Sequence, residues 1–441
     1  MHRIPVFLSL IFFAFAVPAF SGSDPVEIPK DVMSEKYWSI WNESVQKKID
    51  ADIEKYRKTN AEVVLEKIKP GTSVKVEQLT HSFKFGSNIF LFGMLDSDQK
   101  NKIYADAFGE LFNAATIAFY WKTLEPEQGK PRYTADCKPI WRRPPTDPVV
   151  DYCESRGVDI HGHAIIYAFP RWGHPDWLPK ERKAMEPFFE AHIRELAQRY
   201  GSRISEWDVV NESYDQASRG PVPDDYVYKT FKWCEKYFPK TVKFSTNECD
   251  LSWGPTPRYT QIARDLVDRG VRVDLMGVQA HLYSPKECAA IAQGAKIRTP
   301  DQINAILACM SEANLPIHIS EITISAPSDD EKGRNIQAII AKNLYRLWFS
   351  HPNICRITWW NAVDGGAVPN EPSTSGIFTK DLQKKPVYHV LDDLINKQWR
   401  TNLTVKPVDG KISFRGFRGK YRITWTDTEG TPKSKEIELK D

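Results

Sequence analysis

Between residues 83 and 398, short apolar runs alternate with longer amphipathic stretches. The apolar runs are FKFGSNIF (83–90), ATIAFYW (115–121), DIHGHAIIYA (159–168), SEWDVVNE (205–212), KFSTNEC (243–249), LMGVQAHL (275–282), IHISEITI (317–324) and ICRITWWNA (354–362). Runs of this length, rich in β-branched and aromatic residues, predict strands. The stretches between them, such as 187–200 and 334–349, predict helices. Strands alternating with helices predict parallel βα units, and eight such units close a (β/α)8 barrel. A doubly wound open sheet is the other arrangement. No glycine-rich phosphate turn follows the first strand, which disfavours its nucleotide-binding form.

The flanks have a different pattern. Residues 24–60 are polar and charged, with helical character over 45–57, and 61–86 read as strands broken by a turn at Pro70-Gly71. From 400 to 441 apolar and polar residues alternate around Asp409-Gly410 and Glu429-Gly430, which is hairpin chemistry. Strands this short are marginal alone. The C-terminal unit is therefore expected to pack on the barrel or on the strands of 61–82. The predicted class is α/β. A (β/α)8 TIM barrel over 83–398 is preceded by a helix-and-strand extension over 24–82 and followed by a small β unit over 400–441.

His2 and Arg3 precede an apolar run over 4–19, with Val17-Pro18-Ala19 or Ala19-Phe20-Ser21 as a small-residue cleavage site. This reads as a signal peptide over 1–19, shorter than the ~20 apolar residues of a spanning helix. The expected location is secreted or periplasmic, with no membrane attachment after cleavage, as a monomer. The net charge of +3, from 60 basic and 57 acidic residues without a basic run, argues against a nucleic-acid partner. The seven cysteines show no CxxC or zinc spacing. In a secreted chain some would pair, Cys288 with Cys309 being one candidate, and the odd count leaves at least one unpaired. The 14 Trp and 17 Tyr offer flat faces for sugar rings, and equally for core packing.

Polar residues gather at the C-terminal ends of the predicted strands. The fourth ends in Asn211-Glu212, the fifth in Asn247-Glu248, the sixth in Gln279 and His281 and the seventh in Glu321. The eighth carries Trp359-Trp360 and then Asp364. In a (β/α)8 barrel these ends converge on one face. Acetal hydrolysis needs two carboxylates across a sugar-sized cleft, one to protonate the leaving oxygen and one to attack the anomeric carbon. A lone glutamate is ordinarily a solvated surface charge. Glu212 and Glu321 instead close apolar strands, which makes them the candidate pair.

WDVVNE (207–212) and ISEITI (319–324) resemble the acid/base and nucleophile motifs of glycoside hydrolase family 10, the endo-β-1,4-xylanase family. The resemblance runs over about 83–391. FKFG resembles the family's first strand, and Trp121 with EPEQG (125–129) its W-x-x-x-EPxxG stretch. HGHAIIYAFPRW (161–172) resembles its RGHTLVWH segment, GVQAHL (277–282) its GxQSHL, and WWNAVD (359–364) with GIFTKDLQKKPVY (376–388) its closing blocks. The resemblance implies a barrel and a retaining β-glycoside hydrolase of plant-type polysaccharide, with xylan as default substrate; with the signal peptide, the expectation is a secreted enzyme. It implies Glu212 as acid/base and Glu321 as nucleophile. Asn211 and His163 would hold the sugar, Gln279 would bridge to the acid/base, His281 would support the nucleophile and Trp360 would form the floor. Trp121 and Tyr167 complete the expected substrate-binding set. The partner is a polysaccharide or oligosaccharide, and no metal or organic cofactor is called for.

The departures fall beside this centre. The family's TPENEMKW reads AATIAFYW (114–121), so its outer Glu, Asn and Lys become Thr116, Ile117 and Tyr120. Its E-L-D reads Glu321-Ile322-Thr323, its N-D-Y-N reads Asn247-Glu248-Cys249-Asp250, and a family Trp is Tyr167. A second Trp after the eighth strand is absent from GGAVPN (365–370). Three rival readings stay open: a same-fold hydrolase for another or substituted β-glycan, a catalytically weak carbohydrate-binding protein, and a transglycosylase. Sugar release from a polysaccharide panel discriminates among them.

Overall fold

The computed structural model describes residues 27–214, 220–248, 257–369 and 371–440; the expected signal peptide and Cys249 lie outside these. Two strands, β1 (Lys58–Val64) and β2 (Val74–Gln78), precede the barrel. The barrel is built from β3 (Lys84–Asn88), β4 (Ala114–Ala118), β5 (Asp159–His163) with its short continuation β6 (Ile166–Tyr167), β7 (Glu206–Asn211), β8 (Lys243–Glu248), β9 (Leu275–Gln279), β10 (Ile317–Ile322) and β11 (Ile354–Trp359). All pair in parallel. The ring closes where β11 meets β3 and β5 meets β7, so the predicted (β/α)8 barrel is the observed fold.

Parallel strands covered on both faces read as continuous apolar runs. Here β4, β7, β9 and β10 are buried at every position. Close packing dictates individual residues. A Cβ on Gly162 of β5 would stand 2.2 Å from the Trp207 indole, so glycine there lets the ring lie across the strand.

The predicted helices are present and begin earlier than their apolar period suggests. They run Arg182–Tyr200 and Glu331–Ser350. Glu181 and Asp330 cap them by accepting backbone N–H groups of their first turns, which moves each start ahead of the first periodic apolar residue. Pro187 therefore lies inside its helix.

The N-terminal helix Glu43–Arg57 runs into β1 without a loop and packs on Glu331–Ser350. Gln46 donates to Asn343 at 3.1 Å and Arg346 pairs with Asp50 at 2.6 Å. At the junction, buried Arg57 donates to the carbonyls of Phe349 and His351, and to that of Ile354 at 2.8 Å. Its guanidinium also lies 4.7 Å from the Phe83 ring centre.

The last four strands are β12 (Asn402–Val405), β13 (Lys411–Phe417), β14 (Gly419–Thr426) and β15 (Pro432–Leu439). They form antiparallel sheets with the N-terminal strands, in the orders β12-β2-β14-β15 and β1-β13. Both ends of the described chain thus build one unit around a core that includes Val63, Val74, Val76, Ile412, Tyr421 and Ile423. The Asp409-Gly410 turn has φ of 48° and 75°, the left-handed pair of a tight hairpin turn. Val408 and Lys411 pair antiparallel across it with both backbone hydrogen bonds, at 2.8 and 2.9 Å, so the turn closes as a hairpin does; beyond that one pair the strands it joins diverge into different sheets. Glu429-Gly430 does turn a hairpin, β14–β15, where Asp427 accepts the N–H groups of Glu429 and Thr431.

The suggested Cys288–Cys309 bridge is absent. All six described cysteines are unbonded. Cys288 is fully buried with its sulfur against the Leu282 carbonyl, while Cys309 is half-buried on a separate helix, Pro300–Ser311. Among the described residues no helix is long and apolar enough to cross a membrane.

Replacing Arg57 by Met removes donors to three carbonyls, two buried and one part-buried, while retaining most of the side-chain bulk. The expected loss is about 3 kcal/mol of stability, given about 1 kcal/mol or more for each abandoned acceptor. Urea unfolding measures it, and a change below about 0.5 kcal/mol would refute the locking role of this residue.

Candidate active site

The site rests on a layer of buried charge inside the barrel. His161 and His163 are two residues apart on β5 and so face the same way, as do Glu206 and Asp208 on β7. Asp208 accepts from His161 Nε2 and His163 Nδ1, each at 2.8 Å, and Glu206 faces His161 Nδ1 at 2.8 Å and Arg356 at 3.6 Å. Burial pushes His161 down, but Asp208 and Glu206 outweigh it and raise its pKa to about 9. Burial likewise opposes the charge on Asp208, and the two imidazoles hold its carboxyl far below the usual range. An ionised Asp208 accepts from Nδ1 of His163. Its Nε2 then meets the Tyr120 hydroxyl at 3.0 Å and stands 3.9 Å from Glu321 Oε1.

His161, Glu206 and His318 have ligand atoms within 4.8 Å of one another, as in a metal site. Here the Arg356 guanidinium and the protonated His161 already supply the cations against Glu206. The trio is an ion cluster of the barrel core.

Glu321, near the end of β10, accepts from Asn247 Nδ2 at 2.9 Å and faces His281 Nε2 at 3.4 Å. His281 Nδ1 is 2.9 Å from the Thr323 hydroxyl. Asn247 also donates to Asn211 Oδ1 at 2.8 Å and accepts from Ser320 Oγ at 2.5 Å, so one amide orients three neighbours. It has room because position 277 is glycine; a Cβ there would stand 2.5 Å from Asn247 Oδ1.

Glu212 follows β7 with φ of 51°, a left-handed conformation unusual for a side chain of this size. Its N–H is anchored on the Asn247 carbonyl at 2.7 Å. Its carboxylate accepts from Gln279 Nε2 at 2.9 Å and from the Tyr167 hydroxyl. Glu212 and Glu321 line one cavity of about 490 Å³, together with Tyr120, His163, Tyr167, Asn211, Gln279 and Trp360. Phe90, Tyr120 and Trp360 belong to an aromatic cluster separate from the main core. Trp360 lies edge-on to Phe90 at 5.2 Å and to His163 at 5.5 Å. Two carboxylates from different strands, one flanked by an amide and a phenol and the other by an amide and an imidazole, face a cavity with an aromatic floor.

The family model of glycosyl hydrolase family 10 matches residues 75–394. This chain belongs to that family. Family-10 xylanase folds superimpose on it. Xylanase 10B of Thermotoga maritima gives a TM-score of 0.58 at 19% identity, covering 72% of this chain and 96% of that one. Xylanase 10B of Thermotoga petrophila, in complex with xylobiose, gives 0.58 at 19%, covering 72% and 95%. Among curated proteins, the anti-sigma-I factor RsgI6 of Acetivibrio thermocellus is 25% identical over 85% of this chain and 46% of its own length. Endo-1,4-beta-xylanase 3 of Arabidopsis thaliana is 23% identical over 79% and 43%. The chain thus spans less than half the length of these two relatives.

In this family-10 barrel, Glu212, Glu321, His163, Asn211, Gln279, Trp360 and Tyr167 line the cavity, and His281 abuts Glu321. Trp121 does not belong with them. β4 ends at Ala118 and the chain turns into the short helix Trp121–Leu124. That turn carries the indole away from the cavity, onto His192 at 4.1 Å, with Nε1 bonded to Glu125. Of the three departures on the second strand, Tyr120 alone reaches the cavity; Thr116 and Ile117 are buried in the barrel wall. Trp359 faces outward and donates to the Ser375 carbonyl.

Sequence reasoning missed Arg142, Arg143 and Glu371, which also line the cavity, and the orienting role of Asn247. The available signal was an Arg-Arg-Pro-Pro run in the segment leaving the second strand at the catalytic face. Arg142 and Asn361, like Glu212, have left-handed backbones, with φ of 60° and 67°. Such outliers cluster where a site over-determines its backbone.

Glu248, at the end of β8, is fully buried and accepts from Ser213 Oγ and the Tyr214 N–H. Burial, with some help from the charge on Glu212, raises its pKa from 4.5 to about 7. Between these values the folded chain holds a proton that the unfolded chain has lost, so stability falls as pH rises through this window. Glu248→Gln removes that dependence. From pH 4.5 to 8 the wild type is expected to lose on the order of 3 kcal/mol relative to the variant, at 1.36 kcal/mol per unit. Parallel pH series of unfolding would refute this shift if the two curves stayed parallel.

Proposed function

We propose that this chain is a secreted, retaining β-glycoside hydrolase that cleaves plant-type polysaccharide, with β-1,4-xylan as substrate. The observation that carries the reading is the pair Glu212 and Glu321, brought from β7 and β10 to one cavity with different partners. Glu321, its Oε1 held by Asn247, is the nucleophile at the anomeric carbon. Glu212, held by Gln279 and Tyr167, gives its proton to the leaving oxygen. It then takes a proton from the water that releases the covalent glycosyl-enzyme. Asn211, its carbonyl turned to Asn247, presents its amide to the sugar's 2-hydroxyl, and Trp360 supports the ring. Two carboxylates suffice for both steps, so the scheme calls for no cofactor. The xylanase names of similar proteins and the xylobiose complex of the Thermotoga petrophila enzyme support xylan as the backbone. The apolar run over 4–19 supports export.

The two glutamates should fail differently. Glu321→Ala is expected to abolish turnover, and azide should restore it with a product of inverted anomeric configuration seen by NMR. Glu212→Ala should lose about 10²–10⁴-fold on xylan and much less on aryl glycosides whose leaving groups need no proton. Wild-type rates in both variants would remove the catalytic assignment. Absence of sugar release by the wild type across a glycan panel would leave a carbohydrate-binding protein.

A further inference from the structure

We propose that Arg142 and Arg143 form a subsite for a carboxylate-bearing sugar, a uronic acid unit, next to the position of bond cleavage. The inference rests on the hydrolase reading for its place in the reaction and narrows the substrate class.

Both arginines come from the segment between β4 and the helix Thr146–Arg156, and both are buried, at 3% and 7% exposure. A buried guanidinium is normally matched by a carboxylate or a full set of acceptors. Arg356 has Asp159 at 3.0 Å, and Arg57 has three carbonyls. Among the described residues no carboxylate oxygen lies within 4.0 Å of Arg142 or Arg143. Arg142 uses Nη1 on Asn361 Oδ1 at 2.7 Å and on the Gly366 carbonyl, and its buried Nε has no partner among the described residues. Arg143 donates from Nη1 to the Arg142 carbonyl at 2.8 Å, and its buried Nε likewise has no partner among the described residues. The Arg143 guanidinium instead lies 4.0 Å from the Tyr120 ring centre.

The position relative to the chemistry follows from shared neighbours. Tyr120 carries Arg143 against its ring, while its hydroxyl meets His163, which stands 3.9 Å from Glu321. Phe90 has Arg143 at 5.3 Å and Trp360 at 5.2 Å. Arg143 therefore flanks the sugar platform two side chains, Tyr120 and His163, from the nucleophile. Glu371, the other acid lining this part of the cavity, lends its charge to both guanidinium groups without bonding either; it directs Oε2 to Asn361 Nδ2 at 2.8 Å and so braces the residue that holds Arg142. Two cations fixed beside a sugar site, with unused donors and one shared anion that touches neither, leave a place for a second anion. The forked guanidinium matches the planar, two-oxygen edge of a carboxylate.

Ligand-observed NMR titrations with methyl β-D-glucuronide, methyl β-D-glucoside and methyl β-D-glucoside 6-sulfate test this without turnover. The glucuronide is expected to bind at least about tenfold more tightly than the glucoside, as suits a charge-assisted pair. In Arg143→Gln the preference for glucuronide over glucoside should fall below about twofold, and in Arg143→Lys it should survive in part. Equal binding of glucuronide and glucoside, a preference undiminished in Arg143→Gln, or tighter binding of the sulfate would overturn the carboxylate subsite. If Arg143→Gln also loses the glucoside, Arg143→Lys decides: a lost preference with glucoside binding intact overturns it, a retained one supports it. Sugar release from neutral and glucuronic-acid-substituted xylans is measured in parallel. A carboxylate preference without release sinks the hydrolase reading and keeps the subsite; release without preference does the reverse.

Discussion

Asp208 is a buried carboxylate that shares one oxygen between two imidazoles, and the geometry of the cavity follows from that ion. Taking a carboxylate out of water is costly unless it is matched by cationic or strongly donating partners. The match here is His161, kept protonated by Glu206 and Asp208 together, and the Nδ1–H of His163. Pinning His163 aims its far nitrogen at Tyr120 and Glu321, and Tyr120 in turn carries Arg143 on its ring. One ionisation inside the barrel is thus relayed through three side chains to the cavity wall.

The two glutamates are placed by different devices. Glu321 is oriented by the Asn247 amide, for which Gly277 leaves space. Glu212 is aimed by its own left-handed backbone, tied to the carbonyl of the same Asn247. Register shifts in β7 after Asp208 and in β10 after Ile319 accompany these placements, as bulges next to active sites re-aim side chains. Asn247 therefore sets the spacing of the two glutamates, through its side chain on one member and its backbone on the other.

The barrel was legible in the sequence because a strand buried on both faces leaves a run of apolar residues that few other structures leave. The glutamates were legible because a charge closing such a run stands out, and because WDVVNE and ISEITI are specific. What lay three or more residues beyond a strand end was not legible. Trp121 is three residues past β4, and where the chain turned decided that it entered the helix layer. Asp409-Gly410 has hairpin chemistry, yet its two flanking strands found partners more than 300 residues away, a choice made by the N-terminal strands. Arg142 and Arg143 lie in a loop whose path depends on Asn361 and Gly366, on the far side of the sequence.

The pairing of β1 and β2 with β12, β13 and β14 also has a consequence for biogenesis. Lys58 lies opposite Phe417, and Val76 opposite Leu403 and Ile423. A nascent chain emerging from N to C therefore displays two amphipathic strands with open edges for the whole time in which the eight-stranded ring is synthesised. These edges are covered only when the last strands emerge, and unpaired edges of this kind invite association with other chains. During synthesis the barrel has to assemble beside an unfinished sheet. Translation stalled after the eighth barrel strand would release a closed ring tethered to a sticky ribbon.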